Sequence, residues 1–188
     1  MNTLNFKYFD NVIKNAEYTN DKCQICGSNK YCLEGVYFDS EEDIISVCIE
    51  CLRNGKKTVN IPDLIQERLY RELKENQEGL DKIKLKQKLD SSVEELKITP
   101  PVPWIQYNDW PVCCSDFARY MGEWDKEQIN DNAPDGNGKK YIMTILDEFS
   151  KSKIDDIDVF WDDIGIYTAI FIFKCINCSK YIAICQNY

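Results

Sequence analysis

The sequence predicts an α+β fold with three parts: an N-terminal treble-clef-like or zinc-ribbon module, a helical middle and a C-terminal β-hairpin zinc knuckle. Three observations predict it. Cys23-Gln-Ile-Cys26-Gly27 and Cys48-Ile-Glu-Cys51 flank a stretch that reads as a hairpin. Residues 62–97 carry leucines at helical spacing. Residues 166–173 form a strong β run that delivers Cys175-Ile-Asn-Cys178.

The elements follow in order. Residues 5–9 alternate weakly and suit a short strand. The first knuckle, Cys23 to Gly27, ends on the residue type that tolerates positive φ. Residues 31–38 are aromatic and β-branched and read as a strand. The acidic run 39–43 is a turn, and 44–47 is the return strand that carries Cys48. Leu52-Arg53-Asn54-Gly55 reads as a helical turn closing on glycine. Leu64, Ile65, Leu69 and Leu73, then Leu85, Leu89, Val93 and Leu96, predict two amphipathic helices, or one broken near Gly79. The proline run 100–103 ends them, because proline cannot continue a helix. Residues 104–110 are extended or turn-like, 114–124 read as a helix, and 139–149 as another. The acidic stretch 155–163 reads first as a solvated loop. Residues 181–185 are the return strand of the last knuckle. The expected organisation is a zinc module over 1–60, a helical insertion over 61–98 and an α+β part over 99–188, the first and last packed together.

Two Cys-x-x-Cys pairs joined by a hairpin place four sulfurs around one tetrahedral zinc ion. Cys23, Cys26, Cys48 and Cys51 are therefore the expected ligands of a structural site. Cys113, Cys114, Cys175 and Cys178 form a second candidate group, and the sequence leaves its fourth ligand open, with Asp116 in reserve. Cys32 and Cys185 alternate within strands and read as core residues.

Composition narrows the function. The chain has 188 residues, ten cysteines and a net charge of −9. Such an acidic balance opposes nucleic-acid binding, which needs cationic side chains. It suits a basic protein partner, such as a nuclease toxin. No apolar stretch is long enough to span a bilayer, and the start lacks a signal-peptide pattern. The expected location is the cytoplasm, where thiols stay reduced and available to metal. There is no histidine, which excludes Ser-His-Asp and Cys-His catalysis. The best thiol nucleophile is Cys114, if it opens a helix. Asp155, Asp156, Asp158, Trp161, Asp162 and Asp163 are the candidate docking residues, carboxylates steering and the indole anchoring.

Several segments resemble the bacterial CbrC family. They are Asn5-Phe6-Lys7-Tyr8-Phe9, the cysteine pairs at 23/26 and 48/51 with Asn54-Gly55, Thr99-Pro100-Pro101-Val102-Pro103-Trp104-Ile105-Gln106, the block from Trp110 to Gly122, and the pair 175/178. In that block the family usually has His-Cys-Gly-Asp and then a further cysteine. Here Cys113 stands at the histidine, Cys114 at the cysteine and Ala118 at the later cysteine, so the resemblance implies that Cys113 replaces histidine as a ligand. The family's name comes from tolerance to a nuclease colicin. The resemblance thus implies a non-enzymatic zinc-binding protein acting by protein–protein interaction in toxin tolerance or immunity. The alternatives are a thiol-dependent enzyme or stress factor using Cys113 and Cys114, and a zinc adaptor for a host protein.

Overall fold

A computed structural model describes residues 4–35, 38, 44–76 and 81–188. The fold is α+β, and its centre is an antiparallel sheet. Strands β5 (Arg119–Glu123), β6 (Thr168–Lys174) and β7 (Tyr181–Asn187) pair in the order β5-β6-β7. The middle strand β6 has the sequence TAIFIFK and is buried on both faces. Its side chains alternate between two cores, as strand geometry requires. Ala169, Phe171 and Phe173 join the larger core. Ile170 and Ile172 join the smaller one, with Ile129, Ile142, Leu146, Phe160 and Ile164.

The larger core is roofed by the helical middle. Helices α3 (Asp63–Asn76) and α4 (Lys82–Lys97) bury Ile65, Leu69, Leu73, Leu85, Val93 and Leu96. Leu64, expected on the same face, is exposed. The predicted break near Gly79 lies outside the described residues. Asp81 caps α4 by accepting from the N–H groups of Ile83 and Lys84, which satisfies donors that the first helical turn leaves unpaired. Arg68 of α3 pairs with the buried carboxylate of Asp109 at 2.6 Å.

After α4 the chain runs without regular structure past Trp104, which stacks on Phe173 at 5.7 Å between ring centroids. One buried side chain fixes this run. Gln186 Oε1 accepts from the N–H groups of Ile105 and Gln106, and its Nε2 donates to Tyr107 O.

The N-terminal region holds α1 (Val12–Asn15), the two-stranded pair β1 (Cys32–Glu34) and β2 (Ser46–Cys48), and α2 (Ile49–Arg53). The predicted acidic turn at 39–43 lies outside the described residues. Residues 5–9 do not form the expected strand. They run beside β5, held by Tyr120 N–H to Tyr8 O and Asp10 N–H to Tyr120 O.

The predicted helix over 114–124 is replaced by a hairpin, β3 (Val112–Cys113) and β4 (Asp116–Phe117), followed by β5. Cys114 and Ser115 have φ of 54° and 62°, which no α-helix accepts, and burial then alternates along β5. Gly122 has φ of 119° at an irregularity in the β5–β6 register. A methyl group there would lie 2.8 Å from Asn15 Oδ1, and Asn15 donates to Asp10 O and Met121 O. Glycine is therefore needed where the N-terminal segment meets the sheet.

The smaller core is covered by α5 (Lys126–Asn132), α6 (Gly138–Ile145), α7 (Glu148–Lys151) and α8 (Ile157–Asp163). The helix expected over 139–149 is split, because Asp147 caps a new turn by accepting from Ser150 N–H. The stretch expected as a loop contains α8, capped by Asp156. No described helix is long and apolar enough to cross a membrane.

Candidate metal centres

Cys23 and Cys26 lie on a knuckle. Cys23 N–H donates to Ser28 O, and Gly27 N–H returns to Cys23 O. Gly27 has φ of 74°. Their partners arrive by a different route. Cys48 ends β2 and is the N-cap of α2, and Cys51 lies in its first turn. Knuckle, hairpin, then ligands at a helix start is the treble-clef order. The four sulfurs lie within 4.8 Å of one another. Cys23, Cys48 and Cys51 are each 2 % exposed, whereas Cys26 faces solvent.

The second cluster joins two hairpins. Cys175 and Cys178 occupy the turn between β6 and β7. The turn repeats the first knuckle: Cys175 N–H donates to Lys180 O, and Ser179 N–H returns to Cys175 O. Ser179, in the position of Gly27, has φ of 62°. Cys113 and Cys114 come from the β3–β4 turn, so both vicinal sulfurs join the group, and Asp116 does not. Asp116 instead accepts from Tyr8 Oη at 2.6 Å, Ser92 Oγ at 3.2 Å and Lys7 Nζ at 2.8 Å. Two consecutive non-glycine residues at positive φ, Cys114 and Ser115, carry a local cost of about 1–2 kcal/mol each. Neighbours offset it. Ser115 N–H donates to Glu72 Oε1 at 2.8 Å, and Asn177 Nδ2 donates to Cys114 O at 3.2 Å. Sequence reading missed Glu72 and Asn177: Glu72 lies on α3, and Asn177, although inside the Cys175–Cys178 knuckle, bonds a residue 63 positions earlier in the chain.

The donor sets fit zinc. A tetrahedron with Zn–S bonds of about 2.3 Å puts its sulfurs about 3.8 Å apart. Cys113 and Cys114 are separated by 3.8 Å, Cys113 and Cys178 by 3.8 Å, and Cys26 and Cys48 by 3.6 Å. These spacings are too long for disulfides. Either group of four thiolates could hold one ion with no position left open.

Thiol acidity shows the crowding. Burial opposes ionisation of Cys23, but the backbone around Cys48, Cys26 and Ile25 outweighs it and brings the thiol down to about 6. Cys51 is pushed up by burial and then by Cys26, Cys48 and Cys23. In the second group the backbone at Lys180 and the Cys175 thiol bring Cys178 down to about 7. Cys113 is pushed up by burial and by Cys175, Cys178 and Cys114, and Cys114 is raised chiefly by Cys178. One easily formed thiolate raises its neighbours, and four cannot ionise together unless a cation is added. Cys114 therefore lacks both the helix N-terminus and the depressed acidity that a nucleophile needs.

Cys32 and Cys185 are buried outside both clusters. The acidic stretch is distributed as follows. Asp156 accepts from the N–H groups of Asp158 and Val159. Asp158 pairs with Lys139. Trp161 is half-buried against the smaller core, its ring so close to Gly138 that a methyl group there would lie 2.8 Å from it. Asp155 and Asp162 are exposed and Asp163 is half-buried.

No match was found among curated proteins or solved structures. One family model matches residues 4–186, through both cysteine clusters and the helices between them, and the chain belongs to that uncharacterised protein family, UPF0167.

Proposed function

We propose that this is a protein-binding protein whose surface is held in shape by two zinc–tetrathiolate centres, and that its role lies in bacteriocin tolerance or immunity. The observation that carries the reading is the convergence of eight cysteines into two four-sulfur groups. Four protein sulfurs around zinc leave no position for water or substrate, which is the mark of a structural rather than a catalytic site. The similarity of the Cys113 block to the CbrC family supplies the tolerance role. The net charge of −9 gives the right sign for a cationic nuclease toxin.

The test has two stages. Native mass of the purified chain is expected to show two zinc ions, both lost to a strong chelator. The zinc-loaded protein is then titrated with a nuclease colicin domain and with lysozyme as an unrelated basic protein. Binding at least tenfold tighter to the colicin domain supports the reading. Equal affinity for the two would remove the tolerance role and leave only a metal-stabilised adaptor.

A further inference from the structure

We propose that the groove along residues 101–105 is the docking site for an extended, lysine- and arginine-bearing segment of a partner protein. The proposal rests on the protein-binding reading above and gives it a location. Two adjoining cavities, of about 300 and 420 Å³, share Glu17, Pro103, Trp104 and Ile105 in their walls. Pro101 extends the apolar floor at one end.

Three carboxylates rim the groove, brought together from distant parts of the chain. Glu17 follows α1, Glu34 ends β1 and Glu123 ends β5. All three residues are exposed. Glu123 accepts one hydrogen bond, from Tyr188 Oη at 2.7 Å. None of the described lining residues is a lysine or arginine.

The backbone of the groove points to the same ligand. Pro101 and Pro103 have no N–H to offer. Trp104 N–H is taken by Val102 O, and Ile105 N–H by Gln186 Oε1. The wall therefore presents acceptors and carboxylates, with few donors. It matches a ligand rich in donors and mismatches an acidic one. Lysine and arginine fit both features, since their stems lie on apolar surface while their heads reach carboxylates. Gln186 and the Trp104–Phe173 stack hold the wall in place before binding, so little ordering cost falls on the protein.

The stretch 155–163 is the competing surface. There Asp156 is used as a helix cap, Asp158 pairs with Lys139 and Trp161 packs on the smaller core.

The experiment sets the two surfaces against each other on the full zinc-loaded chain. The probe is a synthetic peptide of repeated Arg-Val-Lys-Pro, with a Glu-Val-Glu-Pro counterpart and spermine as comparisons. One variant carries Glu17→Gln, Glu34→Gln and Glu123→Gln. The other carries Asp155→Asn, Asp158→Asn and Asp162→Asn, and removes the same charge. The groove variant is expected to bind the basic peptide about tenfold more weakly, with the helix variant within twofold of the parent. Amide shifts at Trp104 and Ile105 should move on titration. Equal weakening by both variants, or loss only in the helix variant, overturns the groove. The second of those outcomes leaves the protein-binding reading intact at a different surface. Spermine binding as tightly as the peptide, or no discrimination against the acidic peptide, also overturns it. Zinc content and melting temperature, measured on both variants, should equal the parent's.

Discussion

The two cysteine clusters use the same knuckle in opposite settings. Around the first, the regular structure is slight: β1 and β2 have three residues each and α2 has five. Elements that short do not persist alone in water. Three of the four sulfurs are buried. Around the second, β6 and β7 are paired over seven residues each, and β6 is covered by a core on both faces. There only Cys175 is buried, while Cys114 and Cys178 are exposed. A metal at the first cluster ties together short elements that otherwise rest on the larger core. A metal at the second fastens the β3–β4 hairpin to a sheet that already stands.

The sharpest way to break this comparison is to remove one ligand from each. Cys48→Ser is expected to cost about 4 kcal/mol or more, because the binding energy of a structural zinc is folding energy. Hydrogen exchange should show lost protection at Val47, Ile49 and Leu52, which now pack into the larger core. Cys178→Ser should cost only about 1–2 kcal/mol, with protection along β6 retained. Urea unfolding of both variants checks the ranking, and equal costs would erase the distinction. Chelator kinetics should follow the same order. Zinc should leave the second cluster about tenfold faster, since its opening disturbs fewer buried groups.

The first cluster could be read in the sequence because both of its ligand pairs are local: each Cys-x-x-Cys states its own geometry. The second could not be completed. Cys113 and Cys114 are vicinal, and nothing local shows that a hairpin turn aims both sulfurs at a knuckle more than sixty residues away. The error over 114–124 has the same root. An apolar pattern there fits a helix as well as a strand, and only pairing with β6 decides between them. Strands 166–173 and 181–185 were legible from β-branched and aromatic residues. Helix α5 was missed although Asp125 and Gln128 form a capping box, a signal that can be read as Asp-x-x-Gln. The leucine spacing of α3 and α4 was correct except at Leu64. The acidic rim of the groove could not be read at all, since Glu17, Glu34 and Glu123 meet only in the folded chain.

Thiol chemistry sharpens the difference further. In metal-free protein, Cys178 is exposed and brought down to about 7 by the backbone at Lys180. The thiolate is the reactive form. Alkylation at Cys178 should therefore rise as pH increases through about 7 and level off above it. Cys114, equally exposed but raised by Cys178, should lag at neutral pH. Cys23 has a comparable acidity, but its burial should keep it slower. Peptide mapping after brief iodoacetamide treatment across a pH series separates the three. Faster labelling of Cys114 than of Cys178 at neutral pH would restore the thiol-enzyme alternative. With zinc bound, all cluster thiols should be protected.

The smallest effect tests whether the two knuckles are the same structure. Residue 27 and residue 179 occupy equivalent places, four residues after the first cysteine, each returning its N–H to that cysteine's carbonyl. Both have left-handed φ, but one is glycine and the other serine. A side chain in that conformation costs about 1 kcal/mol, while glycine loses more entropy on folding. Gly27→Ser should therefore destabilise by about 0.5 kcal/mol or less, the strain being partly offset by the entropy that glycine no longer loses, and nothing lies within 4 Å of a methyl group there to add a clash. Ser179→Gly removes the strain and adds the entropy cost, so it should change stability by about 0.5 kcal/mol or less. Paired melting curves, zinc-loaded, measure both. A Gly27→Ser cost well above that of strain alone would mean that the first knuckle, the one its module depends on, is held more tightly than its twin.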